Sequence, residues 1–262
     1  MAPPPPVSVF ILARNEAQKI GPALESVSWA AEIVVIDSFS TDGTPEIAAR
    51  HGARVVQLEF RRFGELRQAG IEHTREPWIF SLDSDERCTP EARDEILRLV
   101  ADPASADAYL VPRRNLLLGR RIRHSGWYPD YRQPQLFRRG RMAYAVEDDV
   151  HEGYRLAADG RLGRMRCAIE QIPYRTLAEA IGKMNRYTSL GVPKQVRSGA
   201  ASGYAKAFFR ASWAFFKAYV LQRGFLDGGP GLVISVLRFE NSFYKHVKLI
   251  EHRQAPDPSP PA

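Results

Sequence analysis

The sequence predicts an α/β protein with a mostly parallel sheet, flanking helices and a helical region toward its C-terminal end. Three observations carry this prediction. Short apolar runs alternate with segments of helical pattern over about the first hundred residues. Polar or acidic residues follow directly after three of those apolar runs. Longer helical segments, beginning near residue 177, replace the strand pattern in the last third of the chain.

The apolar runs and the helical segments between them define the predicted elements of the first half. The predicted strands are residues 7–12, 33–36, 54–58 and 78–82, and the predicted helices are residues 17–29, 44–51, 64–74 and 90–100. Strands that alternate with helices indicate βαβ units, whose crossovers bring the carboxyl ends of the strands to one edge of the sheet. We therefore expect the polar turns at 14–16, 37 and 83–85 to meet in one crevice, where open α/β sheets bind ligands.

The second half is less regular. Predicted strands are residues 109–112, 135–137, 142–146 and 153–156, and predicted helices are residues 177–196, 204–222 and 232–251. The two ends of the chain, residues 1–6 and 255–262, are rich in proline and are expected to be disordered.

The composition indicates a folded protein with an anionic partner. Of 262 residues, 44% are hydrophobic and 26% are charged, and no apolar run approaches the roughly 20 residues of a membrane-spanning helix. The first residues lack a signal-peptide pattern, and the two cysteines lie in unrelated contexts, so we expect a cytoplasmic location. The formal charge of +7 favours a membrane surface, a phosphorylated glycan or a nucleic acid. Because the sequence carries no signature of a nucleic-acid-binding fold, we expect no nucleic acid as partner.

Residues 78–86, W-I-F-S-L-D-S-D-E, are the most informative stretch. Asp83 and Asp85 follow a buried strand at positions i and i+2, so their carboxylates can share one hard divalent cation that also bridges to a substrate diphosphate. A solvated acidic turn is the alternative, because many D-x-D triplets are no more than that.

Seven sequence blocks resemble one known family. They are S-V-F-I-L-A-R-N-E (8–16), E-I-V-V-I-D-S-F-S-T-D-G-T (32–44), W-I-F-S-L-D-S-D-E (78–86), G-W-Y-P-D-Y (126–131), V-H-E (150–152), N-R-Y-T-S-L-G (185–191) and R-G-F-L-D-G (223–228). The chain resembles glycosyltransferase family 2, of the GT-A fold. The last four blocks narrow the resemblance to the lipopolysaccharide core heptose β-1,4-glucosyltransferase group.

The resemblance implies a donor site and a metal site. It implies that the UDP-sugar is bound by Arg14, Asn15, Glu16, Asp37, Arg67, Asp83 and Ser84. It also implies that Asp85 and Asp83 bind Mg²⁺ or Mn²⁺, although Gln171 stands where family members commonly have a histidine. Simpler interpretations remain open: Glu16 as the acid at a helix N-terminus, Asp37 as the cap of a turn and Arg67 as a surface arginine.

The resemblance also implies a catalytic base and an acceptor side. The base is expected at Glu152, with Asp149 as the second choice, and a solvated acidic turn at 147–149 is the alternative. The residues expected on the acceptor side are Trp127, Tyr128, Asp130, Arg132 and His151. The arginines between 113 and 141 are expected to line or flank that side, because guanidinium groups bind polyanionic glycans well.

The implied domains are a catalytic domain at 7–175 and a helical region at 176–254. Within the catalytic domain, residues 7–100 form the nucleotide-sugar half and residues 101–175 the acceptor half. The implied reaction is inverting transfer of a hexose, with glucose as first choice, from a UDP-sugar to inner-core heptose of an anionic glycolipid. A second hypothesis is a family 2 transferase that uses another UDP-sugar for O-antigen, capsule or a lipid-linked glycan. A third hypothesis is a non-catalytic basic protein that binds membranes or nucleic acid.

The helix predicted at 204–222 carries both aromatic and basic residues. At about 100° per residue, Lys206, Arg210 and Lys217 fall in one narrow stripe beside a broad aromatic arc. This pattern is typical of an interfacial anchor, and equally of a helix that packs on the domain with its basic edge in water. We expect peripheral contact with the inner face of the cytoplasmic membrane.

Overall fold

The computed structural model describes residues 5–131, 133–146 and 153–254. The chain forms two compact units, the first from residues 1–114 and 129–171 and the second from residues 115–128 and 172–262. The strands are β1 (Val7–Ala13), β2 (Glu32–Asp37), β3 (Arg54–Gln57), β4 (Trp78–Asp83), β5 (Glu86–Arg87), β6 (Ala108–Leu110), β7 (Arg113–Leu117), β8 (Arg120–Arg121), β9 (Pro134–Arg138), β10 (Met142–Tyr144), β11 (Tyr154–Leu156), β12 (Leu162–Arg164) and β13 (Ile169–Gln171). The helices are α1 (Ile20–Ser26), α2 (Thr44–Arg50), α3 (Phe63–His73), α4 (Pro90–Ala101), α5 (Leu177–Leu190), α6 (Val192–Arg197), α7 (Tyr204–Phe216) and α8 (Gly229–Gln254).

The first unit is built on a seven-stranded sheet of order β12-β6-β9-β4-β1-β2-β3. Strand β1 lies between β2 and β4 and is parallel to both, and β3 continues the parallel set beyond β2. The chain therefore runs outward from β1 to β3 and then returns to β4 on the other side of β1. This reversal makes the carboxyl ends of β1 and β4 a topological switch point, where such sheets bind ligands.

Successive apolar side chains of the strands point to opposite faces of this sheet, and helices pack on both faces. In β1, Val9 and Ile11 belong to the core cluster under α1 and α4, whereas Phe10 belongs to the cluster under α3. All three side chains are fully buried. The predicted α/β class, with a mostly parallel sheet and flanking helices, is confirmed.

Two helix boundaries differ from the predicted ones because of proline. Helix α1 begins at Ile20 rather than at residue 17, since Pro22 has no N–H and is tolerated only in the first turn. Pro193 likewise divides the segment predicted as one helix into α5 and α6. The short strands β5, β7, β8, β12 and β13 carry too few residues to show a period in the sequence.

The second unit consists mainly of helices α5 to α8. Between α7 and α8 lie a π-helical turn (Lys217–Leu221) and a 3₁₀ helix (Gly224–Asp227). The Asp227 carboxylate accepts backbone N–H groups of Arg123 and His124 at 3.0 and 2.9 Å, which joins segment 115–128 to the 3₁₀ helix. No helix within the described residues combines the length and the apolar character needed to cross a bilayer.

Candidate active site

Two aspartates lie on either side of the carboxyl end of β1. In the sheet register, Ala13 of β1 pairs with Asp37 of β2, and Leu12 of β1 pairs with Asp83 of β4. Asp37 is fully buried, and Asp83 is partly exposed. The register therefore brings two polar turns to the flanks of the turn that follows β1. We number the turns by the strand they follow: the first turn follows β1, the second turn follows β2 and the fourth turn follows β4.

The first and second turns are joined by hydrogen bonds. The backbone N–H of Asn15 donates to Ser40 Oγ at 2.8 Å, and the N–H of Thr41 donates to Asn15 Oδ1 at 2.8 Å. The Asp37 carboxylate accepts the N–H and the hydroxyl of Ser40, at 2.9 and 2.5 Å. Asn15 has φ 56°, a left-handed conformation that asparagine tolerates better than most residues. Asp37 thus caps its own turn, as the simpler interpretation has it, at the sheet edge where the donor is expected.

Glu16 begins the segment that leads into α1. Its N–H donates to Thr44 Oγ1 at 2.9 Å, and its carboxylate lies 3.6 Å from Lys19 Nζ. Nearby, Asp42 accepts the N–H of Ala17 at 3.0 Å. Although burial opposes it, hydrogen bonds from Thr44 and from the backbone of Ala17 hold the pKa of the Asp42 carboxyl below its ordinary value.

The fourth turn is held by Arg67. This side chain is buried, and it donates from Nη2 to Asp83 Oδ1 at 2.8 Å and from Nη1 to Ser81 Oγ at 3.1 Å. Arg67 is therefore an internal partner of the first aspartate of the D-x-D triplet, and the interpretation as a surface arginine is wrong.

Glu86 is the centre of a buried polar network beneath the same turn. Its carboxylate is fully buried and accepts the backbone N–H of Asp83 at 3.0 Å and Gln135 Nε2 at 2.7 Å. It also accepts Arg113 Nε in a buried ion pair. Burial alone would lower the pKa of Arg113, but the charge of Glu86 raises it above its ordinary value. Glu86 and its partners thereby fix the backbone from which Asp83 and Asp85 project.

Arg87 connects the fourth turn with the first. Its Nη1 donates to Ser84 O at 3.0 Å, and its Nη2 donates to Lys19 O at 2.8 Å. Burial lowers the pKa of this guanidinium, while the charges of Asp85 and other acids oppose the shift.

The oxygen atoms at the fourth turn fit a hard divalent cation. Gln171 Nε2 donates to Asp85 Oδ1 at 3.3 Å, and the buried Gln171 Oε1 has no hydrogen-bond partner among the described residues. Within residues 5–131, 133–146 and 153–254, no cluster of three or more His, Cys, Asp or Glu side chains is placed to hold a metal. Two carboxylates and one free amide oxygen are nevertheless ligands that Mg²⁺ or Mn²⁺ accepts, so the residues present fit such an ion.

The family follows from comparison of the whole chain with known proteins. Residues 8–160 match the family model described as Glycosyl transferase family 2. The chain belongs to glycosyltransferase family 2. The family predicted from the sequence blocks is therefore confirmed.

Two known proteins are similar to most of this glycosyltransferase, and a third is similar to less than half of it. The lipopolysaccharide core biosynthesis glycosyltransferase LpsC of Rhizobium meliloti (strain 1021) is 30% identical over 264 residues, which cover 94% of this chain and 95% of LpsC. Among solved structures, S. aureus TarS 1–349 matches 95% of this chain and 92% of its own, with 14% identity and a TM-score of 0.49. Glucosyl-3-phosphoglycerate synthase from Mycobacterium tuberculosis, solved with Mn²⁺, UDP and glucosyl-3-phosphoglycerate, matches 41% of this chain and 44% of its own, with 25% identity and a TM-score of 0.37.

Other sequence-predicted site residues of this glycosyltransferase are distributed over both units. In the first unit, Arg14 is exposed in the first turn, Ser84 is buried in the fourth, and Asp130 forms a β-bridge with Arg113. Trp127 and Tyr128 belong to the second unit, where Trp127 packs on its small apolar core and the Tyr128 ring lies 5.2 Å from the guanidinium of Arg121. The predictions for Arg132, Asp149, His151 and Glu152, and for the acidic turn at 147–149, lie outside the described residues.

Three of the arginines expected to line or flank the acceptor side have partners within the first unit. Arg113 pairs with Glu86, Arg139 donates to Ile71 O and Glu76 O, and Arg141 pairs with Asp107. These three guanidinium groups therefore help to hold the first unit together, and the prediction that they line or flank the acceptor side stays a prediction.

Sequence reasoning missed the Glu86 network. Glu86 stands inside the quoted block at 78–86, next to the D-x-D triplet, and a carboxylate flanking such a triplet was the available signal. Arg113 and Gln135 carry no such signal, because they reach Glu86 only through the folding of strands 27 and 49 residues away in sequence.

Proposed function

We propose that this family 2 glycosyltransferase moves a hexose from a UDP-sugar to an anionic cell-envelope glycolipid, with inversion at the anomeric carbon. The specific reaction proposed is glucose transfer to inner-core heptose of lipopolysaccharide. The observation that carries the proposal is the register that sets Asp37 and Asp83 on the two flanks of β1 at the switch point. Similarity to LpsC over nearly the whole chain supports the choice of acceptor.

The donor is proposed to lie across the first, second and fourth turns. Asp37 and Glu16 are proposed to supply carboxylate oxygens that accept the hydroxyl and N–H groups of uridine. Asn15 and Arg14 are proposed to contact the donor beside them. Arg67 orients Asp83, because its two nitrogen atoms bond to Asp83 and Ser81 on the same strand. Ser84 belongs to the same turn and is proposed to contact the donor.

Asp83, Asp85 and Gln171 are the residues that would hold a divalent cation. Such an ion supplies neutralisation of the negative charge that develops on the departing diphosphate. The chain's own part is to keep the oxygen ligands in place, which Glu86 does through the N–H of Asp83.

Glu152 is proposed as the base, with Asp149 as the second choice. A carboxylate within hydrogen-bond reach accepts the proton of the acceptor hydroxyl. At the same time the hydroxyl oxygen attacks the anomeric carbon, and UDP leaves on the opposite side. Removal of a general base lowers the rate by about 10²- to 10⁴-fold. Trp127, Tyr128, Asp130, Arg132 and His151 are proposed on the acceptor side.

The reaction is proposed to take place at the cytoplasmic face of the membrane. The acceptor carries a lipid, and the enzyme is proposed to meet it at the bilayer surface by peripheral contact. Nucleic acid is not a proposed partner, because the strand-end carboxylates would repel its phosphates.

A panel of UDP-sugars, tested with and without Mg²⁺ or Mn²⁺, measures the activity. We expect turnover with one or a few UDP-hexoses that requires the metal and is lost in Asp85→Asn. Asp94→Asn is the matched control, because Asp94 is exposed on α4 and pairs with the neighbouring Arg93. Glu152→Gln should lower transfer to a heptose-bearing acceptor by at least about 100-fold while leaving UDP-sugar binding intact.

Two outcomes would contradict the proposal. Unchanged turnover in Asp85→Asn would remove the metal site from the D-x-D triplet. The second outcome is that no UDP-sugar is turned over and that the chain shows only salt-sensitive polyanion binding, which Asp85→Asn leaves unchanged. That outcome would support the hypothesis of a non-catalytic basic protein.

A further inference from the structure

Helix α7 exposes its large aromatic residues and buries its small ones. Ala207, Ala211 and, in the π-helical turn, Ala218 are fully buried. Phe209 and Trp213 are 72% and 58% exposed. Large aromatic side chains normally carry the burial of a helix, so this inverted arrangement indicates a surface that the described part of the chain leaves uncovered and that a partner can cover.

Seven exposed apolar residues of α7 and of the two turns after it are together called the aromatic face. It comprises Phe209, Trp213, Phe216, Val220, Leu221, Phe225 and Leu226, all of them exposed. At about 100° per residue, Phe209, Trp213 and Phe216 fall within an arc of about 60° on α7. The aliphatic and aromatic residues of the two following turns extend the same apolar character along the chain.

The basic stripe of α7 lies directly beside the aromatic face. Lys206 and Arg210 project about 20–100° further round the helix than Phe209 and Trp213, and both are exposed. From residue 180 to residue 226 the chain has no aspartate or glutamate and eight lysines and arginines. A partner for this surface must therefore be apolar on one side and negatively charged beside it.

An anionic bilayer has this combination of properties. Aromatic rings enter the boundary between headgroups and acyl chains, while lysine and arginine remain at the level of the phosphates. A second copy of this chain fits poorly, because a two-fold contact would bring two acid-free, positively charged segments together.

We propose that the aromatic face and its basic stripe are the membrane-docking surface of this protein, and that their ligand is an anionic phospholipid bilayer. The inference deepens the proposed function and rests on it for the biological setting, since a glycolipid acceptor is reached at such a surface. Docking needs only the second unit, and it does not require the active site to be occupied.

Vesicle flotation of the full chain tests the docking surface. Vesicles of phosphatidylcholine with about 30% phosphatidylglycerol are compared with pure phosphatidylcholine, at low salt and at about 0.5 M salt. We expect binding to the anionic vesicles that falls with salt, since each basic residue near the surface contributes about fivefold to the partition. Equal binding to both kinds of vesicle at both salt concentrations would overturn the electrostatic part of the proposal.

Paired variants separate the two parts of the surface. Phe209→Ser with Trp213→Ser should lower vesicle binding at least tenfold, and Lys206→Gln with Arg210→Gln should lower it about 25-fold. The controls are Leu162→Ser, an exposed apolar residue of the first unit, and Arg50→Gln with Arg98→Gln, which changes the charge equally. All substituted side chains are exposed, and circular dichroism checks that each variant is folded.

The possible results either support the docking surface or exclude it. Vesicle binding unchanged in Phe209→Ser with Trp213→Ser excludes it. A dimer that dissociates in the same variant, without vesicle binding, identifies the face as a contact between copies and also excludes it. Salt-sensitive binding to single-stranded RNA in place of vesicles does the same.

Turnover of UDP-sugar without vesicles is measured on every variant, so that the two proposals fail separately. Vesicle binding without turnover would overturn the proposed function and leave the docking surface standing. Turnover without vesicle binding would do the reverse.

Discussion

Glu86 shows how a single buried charge can determine the geometry of a site. Its carboxylate bonds to a backbone N–H, a glutamine amide and an arginine, and all of these groups are shielded from water. Removing one partner of a buried ion pair leaves the other charge without compensation, which costs about 3–5 kcal/mol. Replacing both partners by uncharged groups is far less costly.

A double-mutant cycle on Glu86 and Arg113 should therefore be strongly non-additive. We expect Glu86→Gln and Arg113→Met each to lower the free energy of unfolding by about 3 kcal/mol, because each leaves a buried charge unpaired. The combined variant should recover part of that loss. Urea unfolding measures the three values, and Arg93→Met, which breaks an exposed pair, should cost no more than about 0.5 kcal/mol. Additive losses in the double variant would show that the pair does not act as a unit.

Phe39 is a second residue whose conformation needs an explanation. It has φ 53° and is 61% exposed, in the turn that follows Asp37. A bulky residue in the left-handed region costs about 1–3 kcal/mol, and such strain persists mostly at functional sites. Because its ring is exposed at the edge where the donor is proposed to bind, it is available to a nucleotide.

Replacing Phe39 by asparagine should separate strain from function. We expect Phe39→Asn to raise the free energy of unfolding by about 1 kcal/mol, because asparagine tolerates the left-handed region. It should also raise the KM for the UDP-sugar about fivefold, the equivalent of about 1 kcal/mol of aromatic contact. Leu118, with φ 51° and half exposed in the second unit, is the matched control. Leu118→Asn should gain similar stability with no change in KM, and equal KM values in both variants would contradict a donor contact for Phe39.

How much of the site could be predicted depended on how far apart in the sequence the interacting residues lie. Asp37 and Asp83 were predictable, because a residue that ends an apolar run must lie at the end of a strand. The role of Arg67 as partner of Asp83 was not predictable, since it depends on how α3 packs on the sheet, where the Arg67 side chain reaches the end of β4. The same holds for Arg113, whose basic character pointed to the surface although its side chain is buried.

At the scale of elements, the repeated strand–helix pattern was sufficient to place β1 to β4 and α1 to α4. Helix boundaries differ from the predicted ones where a proline acts, at Pro22 in α1 and at Pro193, which separates α5 from α6. The five short strands were not predictable, because two to five residues show no period and their pairing partners are distant. The helix predicted at 204–222 shows the same limit, since α7 ends at Phe216 and a π-helical turn continues it.

Helix α3 packs closely on β1 and on the residue after β10, because two residues of the helix are glycines. A Cβ added to Gly70 would lie 2.5 Å from the ring of Phe10, and one added to Gly64 would lie 2.4 Å from the carbonyl oxygen of Ala145. Both distances are shorter than van der Waals contact. The close approach lets Arg67, between these glycines, reach Asp83.

Gly70→Ala and Gly182→Ala should therefore have opposite effects on stability. Gly70→Ala overpacks a tight interface and should lower the free energy of unfolding by about 1–3 kcal/mol. Gly182, within α5, has no atom within 4 Å of a Cβ position, so alanine there should stabilise its helix by about 0.5–1 kcal/mol. Thermal unfolding of both variants measures the contrast. If Gly182→Ala lowers the free energy of unfolding as much as Gly70→Ala does, close packing against Phe10 is not the reason that position 70 requires glycine.

At the scale of the whole first unit, the two ends of the parallel sheet have different tasks. The carboxyl ends carry Asp37 and Asp83, which are proposed to bind the donor. The amino ends are braced by Glu32, the first residue of β2. Its carboxylate accepts Ser8 Oγ of β1 at 2.7 Å, the N–H of Arg75 at 2.8 Å and Arg54 Nη2 of β3 at 3.1 Å. Acids at one end of the sheet thus hold the strands together, whereas the role proposed for the acids at the other end is to bind the donor.

The bracing by Glu32 should make the stability of the first unit depend on pH. Although burial opposes it, hydrogen bonds from Ser8, Arg54 and the backbone of Arg75 hold the pKa of the Glu32 carboxyl below the ordinary value of 4.5. Because the folded-state pKa is the lower one, the stabilisation is complete above the unfolded-state pKa and is lost as pH falls through the folded-state pKa. We expect Glu32→Gln to lower the free energy of unfolding by about 1–2 kcal/mol at pH 7.

Urea unfolding at a series of pH values from 7 down to 3 measures this dependence. The difference between Glu32→Gln and the unchanged chain should shrink below pH 4.5, since the glutamate becomes protonated and loses its charge-assisted bonds. Glu72→Gln, at an exposed position of α3, should differ little from the unchanged chain at every pH. If the loss of unfolding free energy in Glu32→Gln stays constant from pH 7 to pH 3, the charge of the carboxylate does not contribute to stability and only its packing does. In that case the amino ends of the strands are held by the packing of Val7 and Val9, and the division of tasks between the two ends of the sheet does not depend on charge.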